Sequence, residues 1–381
     1  MLIRANAPVF GASNTLPFQG KEWQINFNTR YLHSYSHYSG TQYQFQRKDL
    51  GTYVINNQAA VDLGAAYSFT PQLSAWLSVP YVDASWSIPL PTAGPTGTGP
   101  RSEQNGRGIG DVIIGARYWT LDPAVHRHGN FSVGLGVKAP TGKYDVTDEY
   151  PLFNGTNPSE KAVDQSVQPG DGGWGGVLDL QGYYVWTHVS FYASGSYLAN
   201  PRNTNGTPSI VDGLGFGSNP AFADIAVNSV PDNYLLRAGT IFPFRGGKYA
   251  ASAGFRMEGL PRYDFFGRSD GFRRPGYETF FEPGFILTTG GSSFSFYVPL
   301  ALVRNRRPNP YTGNEGDATF PDYIVLAGYS YRFPPKGGAP ATAPQPSAPT
   351  PPATPPPATP PAAPGSAPAS GGGAPMEACA E

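Results

Sequence analysis

Eleven charged residues stand where they could line a passage: Arg30, Asp62, Asp111, Arg117, Lys138, Asp179, Arg237, Arg256, Glu258, Glu278 and Glu282. Cations and carboxylates interleave along the chain. Two chemistries follow: a charged constriction that selects a solute, or mutual neutralisation that braces a narrow interior. Glu278 and Glu282 on one segment would adjoin Arg256 and Glu258 on the preceding one, a charge ladder across a hairpin. Apolar residues share the inner face with these charges: Trp76, Val82, Ile113, Val177, Leu235, Ile241, Phe280, Ile286 and Tyr297. A partly apolar inner wall leans toward small hydrophobic or aromatic solutes, although filling a narrow barrel would use the same residues.

Catalytic groupings are poor by comparison. A hydrolase needs a nucleophile, a base and an orienting group within reach of one another. The five histidines are His33, His37, His126, His128 and His188, and none sits in mid-strand beside a serine partner. His126-Arg-His128 has no carboxylate cluster around it to complete a metal site. Gly106-Arg-Gly-Ile-Gly-Asp111 is glycine-rich, but no helix follows, so a phosphate cradle is not expected. Cys379 is the single cysteine and can build neither a disulfide nor a thiolate metal site within the chain. No enzyme activity, cofactor or metal is expected.

The elements that would position these charges are strands. From Trp23, apolar residues (Ile25, Phe27, Tyr31) alternate with polar ones (Gln24, Asn26, Asn28, Arg30), giving a strand with one greasy and one wet face. The pattern recurs at about 22–35, 54–69, 73–86, 109–120, 131–140, 174–187, 188–200, 232–244, 248–260, 277–289, 293–304 and 322–333. Long connections (36–53, 87–108, 141–173, 201–231, 261–276, 305–321) alternate with short turns at 70–72, 122–130, 187, 245–247 and 290–292. This is the signature of a transmembrane antiparallel up-and-down β-barrel of about twelve strands, an all-β fold with long loops outside and turns in the periplasm. Charge on the lipid face near midplane costs about 2 to 4 kcal/mol for Arg or Lys, which assigns the charged parity to the lumen. Ala59, Val61, Leu63, Ala65 and Tyr67, then Phe131, Val133, Leu135 and Val137, then Leu178, Leu180, Tyr184 and Trp186, then Phe294, Phe296, Val298, Leu300 and Leu302 would face lipid. Tyr67, Phe69, Tyr118, Trp119, Phe131, Trp186, Phe242, Phe244, Tyr249, Tyr331 and Phe333 gather at the turn ends as an expected aromatic girdle.

Composition agrees with a wall rather than a globule. Charged residues are 14% and aromatics 14%, with 48 glycines and a mean hydropathy of −0.32, because an apolar and a polar face average out. No run approaches the roughly 18 apolar residues of a spanning helix. The net charge of −1 gives nucleic acid no electrostatic support. Three segments are expected: a periplasmic piece over 1–21, the barrel over 22–333, and a disordered Pro/Ala-rich periplasmic tail over 334–381 that could act as a spacer toward the cell wall. Residues 1–18 lack the apolar core of a secretory signal, so a signal missing from the start is expected. The location implied is the outer membrane, with the lipid bilayer, lipopolysaccharide and a small-molecule solute as partners. The last strand, Tyr323 to Phe333, resembles the C-terminal signal read by the outer-membrane assembly machinery, another expected partner.

Three segments carry a family likeness: Phe69-Thr-Pro-Gln-Leu-Ser-Ala-Trp-Leu-Ser-Val-Pro-Tyr-Val82, Gly108-Ile-Gly-Asp-Val-Ile-Ile-Gly-Ala-Arg-Tyr118, and Gly136-Val-Lys-Ala-Pro-Thr-Gly-Lys-Tyr144. Together they resemble the bacterial outer-membrane family named for the meta-pathway of phenol degradation. The resemblance implies passive passage of hydrophobic or aromatic compounds, and the family carries no agreed binding residues to transfer. A channel is therefore the leading expectation. The alternative is a structural or anchoring barrel whose lumen is closed by its own salt bridges.

Overall fold

The structure is a computed structural model that describes residues 20–91, 99–123, 125–310, 313 and 316–333. The readings of 1–19 and of the tail from 334 onward lie outside these residues. Twelve strands form the wall: β1 (Glu22–Ser39), β2 (Ile55–Ser68), β3 (Leu73–Pro89), β4 (Arg101–Ile109 and Val112–Trp119), β5 (Gly129–Ala139), β6 (Gly175–Trp186), β7 (Val189–Ala199), β8 (Asn233–Phe244), β9 (Tyr249–Leu260), β10 (Gly276–Thr289), β11 (Ser292–Tyr297 and Leu300–Arg306) and β12 (Ala318–Phe333). Each pairs antiparallel with its neighbours. β12 then returns to β1, from Trp23 opposite Phe333 to Tyr38 opposite Ala318, and closes the barrel.

The period-two pattern sets the two faces. Along β1, Trp23, Ile25, Phe27 and Tyr31 are exposed while Gln24, Asn26, Asn28 and Arg30 are buried. Apolar outside and polar inside is the arrangement that lipid stabilises and water would not. Leu63, Leu135, Leu178, Trp186, Phe296 and Leu302 are likewise exposed on the outer wall. At the turn end of that wall, Tyr67 packs against Trp23 and Phe69, and Tyr331 against Phe333. Trp119 departs from the expected girdle: it is buried, with its ring 5.6 Å from that of Tyr183, because its neighbour Tyr118 takes the outward position.

Two strands are interrupted, and each interruption changes what the sequence pattern suggests. The fourth strand, expected over 109–120, has a second part over Arg101–Ile109 that pairs with β3 up to Pro89 and prolongs the wall outward. Its break lies at Gly110-Asp111. The eleventh breaks at Val298-Pro299, where proline brings no N–H for the ladder. A bulge follows, since Val303 opposes Thr279 while Ala301 opposes Phe280. Leu302 and Val303 are consequently both exposed, and the parity of everything after them slips by one.

Inside, aromatic side chains lie flat against neighbouring strands where those strands carry glycine. A Cβ on Gly115 would fall 2.6 Å from the Trp76 ring, and one on Gly136 at 3.0 Å. Tyr297 covers Gly284 in the same way. The lumen is thus filled partly by rings that only glycine accommodates.

Candidate functional site

All eleven lumen candidates lie on the inner wall, and ten of them are buried; Arg117 keeps slight exposure. Ten of the eleven separate into three groups, and Asp62 stays apart. The first is a chain of ion pairs across the barrel. Arg30 on β1 holds Glu258 on β9 with both guanidinium nitrogens, at 3.0 and 2.5 Å. Those two strands are four positions apart around the wall, roughly 19 Å along the sheet. The contact is therefore a chord through the lumen. Glu258 also accepts from Arg256 at 2.8 Å, Arg256 reaches Glu282 at 3.5 Å, and Glu282 pairs with Arg237 on β8.

Glu258 and Glu278 stand directly opposite each other on β9 and β10. Like charges so placed repel, and each is met by its own cation: Arg30 and Arg256 for Glu258, and Arg304 at 3.4 Å for Glu278. The expected ladder thus divides between two sets of partners. Arg304 was hidden from sequence reading by the slip of parity in β11. The second group is a local pair, Arg117 with Asp179 at 2.5 Å. Asp62 stands alone: Ser78 Oγ–H donates to its Oδ2, and no cation lies within ion-pair distance among the described residues.

The third group, Asp111 and Lys138, anchors a plug. Residues 163–173 of the long loop after β5 are all buried. Val163 and Val167 pack with Ala60, Val82, Ala84 and Trp86 of the inner wall and with Tyr150 and Ile210 of the outer loops. Burying a valine completely contributes about 1.5 to 3 kcal/mol, so this apolar contact is a substantial part of what holds the segment in. Ala60 is the register partner of Arg30, which places the plug immediately outside the ion-pair chain. At its base, Asp111 accepts from the N–H of Gly142 (2.9 Å) and of Asp171 (3.0 Å), and Lys138 pairs with Asp171 and with Asp111 at 3.6 Å. Thr141 Oγ1 donates to the Gly110 carbonyl and accepts from Val112 N–H, both at 2.9 Å.

The glycine-rich run has its explanation here. A Cβ on Gly106 would run into the Val167 carbonyl, and one on Gly170 into that of Gly142. Glycine lets the plug backbone lie against β4. The outer side of the plug is latched by Asp164, whose carboxylate takes both Arg274 nitrogens at 3.0 and 2.6 Å and accepts from Ser166. Burial pushes the Asp164 carboxyl up, but Arg274 and Ser166 outweigh it and hold it below the usual carboxylate range. Arg273 is fully buried against Asp264 in the adjoining loop. Asp164, Asp171, Arg273 and Arg274 all lie in loops, where no periodicity marks an inward residue.

His37, near the outer end of β1, ties the first outer loop to Asp317 in the last one. His37 Nδ1 lies 3.0 Å from Asp317, while its Nε2 accepts from the Val54 N–H at 2.7 Å. Asp317 also takes Arg47 at 2.7 Å. Both ring nitrogens are committed to holding the loops, with no serine partner in the arrangement.

No curated protein sequence matches the chain. The family model described as "Putative MetA-pathway of phenol degradation" matches residues 77–190. The resemblance is borne out. The stretch matched to the phenol-degradation family runs from β3 into β7 and contains Gly106, Asp111, Lys138, Gly142 and the whole plug segment. Among solved structures, an outer-membrane channel from Pseudomonas putida F1 is similar with a TM-score of 0.51 and 13% identity, covering 83% of this chain and 97% of that one. The toluene transporter TodX of Pseudomonas putida gives 0.40 at 11% identity, covering 87% and 94%. The β domain of the Bordetella autotransporter BrkA gives 0.43 at 12%, covering 82% and 100%. At such identities the likeness concerns the fold, that of an outer-membrane β-barrel.

Proposed function

We propose that this protein is an outer-membrane channel for passive passage of small organic solutes, hydrophobic or aromatic, and that its outer mouth is closed at rest by the plug. The observation that carries the reading is the apolar cluster inside the mouth, where Val163, Val167, Tyr150 and Ile210 meet Ala60, Val82, Ala84 and Trp86. A water-filled pore would be lined by polar groups at that depth. An apolar mouth instead offers a greasy solute a place to exchange contacts with the plug. The similar barrel from Pseudomonas putida F1, an outer-membrane channel, agrees in kind.

One observation favours a second reading, a structural barrel with a closed lumen. The pairs from Arg30 through Glu258, Arg256 and Glu282 to Arg237 cross the interior, and each member is buried. Purified protein in planar bilayers separates the two. Ion current that falls when toluene is added, in the parent or after residues 163–171 are replaced by a short linker, supports the channel, and silence from a folded, heat-modifiable barrel lacking the plug supports the structural reading. Under either reading the catalytic residue types remain dispersed, and no enzymatic role is proposed.

A further inference from the structure

Below the ion-pair chain the inner wall changes character. One step toward the periplasm from Arg30 lies Asn28, whose register partners are Asp62 on β2 and Gly328 on β12. Gly328 in turn opposes Ser295 on β11. Four adjacent strands therefore bring Asp62, Asn28, Gly328 and Ser295 to one level of the lumen. Asp62, Asn28 and Ser295 are each more than nine-tenths buried. Asp62 Oδ1, Asn28 Oδ1 and Ser295 Oγ have no hydrogen-bond partner among the described residues.

Leaving a polar atom buried and unpaired costs about 1 to 3 kcal/mol. Three on one level amount to a standing demand for a ligand. The glycine explains how two of them converge: Ser295 Oγ and Asn28 Oδ1 lie 2.7 and 2.8 Å from the point where a Cβ on residue 328 would sit. Any other residue there would push them apart. The groups are complementary to a hydroxyl. Its proton can be donated to the Asp62 or Asn28 oxygen while its own oxygen accepts from Ser295 Oγ–H. Asp62 keeps one oxygen for this purpose because Ser78 occupies only the other.

We propose that Asn28, Asp62 and Ser295, gathered over Gly328, form a subsite that binds the hydroxyl of a small neutral solute and favours hydroxylated aromatics over plain hydrocarbons. This rests on the channel reading above and names the solute class within it. A site built to hydrogen-bond a hydroxyl discriminates strongly against an analogue that lacks one, because its buried groups are then left unpaired.

The test measures calorimetric binding of phenol and of toluene to the purified full-length barrel in detergent, alongside single-channel current with the same two probes. Gly328→Ala should weaken phenol binding about tenfold, the loss of one such hydrogen bond, and leave toluene within about twofold. Ser295→Ala should act in the same direction and decides the matter if the first variant does not fold to a heat-modifiable barrel. Equal changes for the two probes, or no change for phenol, overturn the subsite. Phenol-selective binding without current retains the subsite and sinks the channel, whereas toluene-sensitive current without phenol selectivity does the reverse.

Discussion

The two halves of the lumen are closed by different means. At the outer mouth, loop backbone enters the barrel: residues 163–173 pack on the wall, with Asp164 latched by Arg274 and Asp171 by Lys138. Toward the turn end, among the described residues, side chains rather than loop backbone fill the space: small polar ones, with Gln24, Asn26, Asn28, Ser78, Ser132, Ser252, Ser295 and Ser330 all buried, together with the buried rings of Trp76, Trp119 and Tyr192. A loop can leave as a unit by breaking a few contacts at its ends. Wall side chains cannot leave, because each is fixed to a strand in a closed ladder. The outer half therefore has the form of a gate and the inner half that of a fixed lining, with the ion-pair chain between them.

The largest effect should come from removing the gate. Replacing residues 163–171 by a short Gly-Ser linker should raise single-channel conductance several-fold with the barrel still heat-modifiable, and unchanged conductance would show that the plug does not limit passage. Gly106→Val tests the same seat through the wall, since its side chain would meet the Val167 carbonyl. Next comes the divider. Glu282→Ala leaves the buried Arg237 and Arg256 guanidiniums short of an anion, and breaking a buried pair costs about 3 to 5 kcal/mol. The loss should appear in urea unfolding from lipid vesicles, while a variant as stable as the parent would show that the pairs do not brace the lumen.

The latch gives a pH dependence. The folded-state pKa of Asp164 is depressed, with Arg274 and Ser166 outweighing burial. Such a group contributes stability above its unfolded value, about pH 4, and loses it as pH falls through the folded value. Plug opening, read as conductance, should thus rise only on acidification below about pH 4. Asp164→Asn should be open at neutral pH and flat across that range. An acid response that persists in this variant would assign the effect to another group, such as Asp317, whose carboxyl His37 and Arg47 also hold low against burial.

How much of this was legible differs between the same two regions. The wall was readable because lipid outside and a polar lumen inside impose opposite demands on successive residues, so Trp23 to Tyr31 alone declares a strand and its faces. Reading failed where that constraint lapses. Arg304 was missed because the bulge at Leu302 shifts parity, and Trp119 was misplaced because the aromatic pattern was followed at the expense of its position beside Tyr118. Asp164, Asp171 and Arg274 were invisible because an irregular loop has no period to betray which side chains turn inward. Gly106 was in view as part of a glycine-rich run and Gly142 as part of a family likeness, but their cause, a backbone passing close by, is a contact between segments far apart in sequence.

The smallest expected effect tests whether gating is confined to the outer end. Thr187, in the turn between β6 and β7, has a φ of 49°, where a β-branched residue is strained by about 1 to 3 kcal/mol. Only two residues, Thr187 and His188, join those strands, so the turn reaches neither the lumen nor the plug. Thr187→Gly should relieve the strain, offset in part by the greater freedom of glycine in the unfolded chain, for a net gain of at most about 1 kcal/mol. Conductance, its response to toluene and its acid dependence should all stay at parental values. If relaxing this turn alters the current, the two halves are mechanically coupled through β6, which also starts at the end of the plug segment, and the division between gate and fixed lining fails.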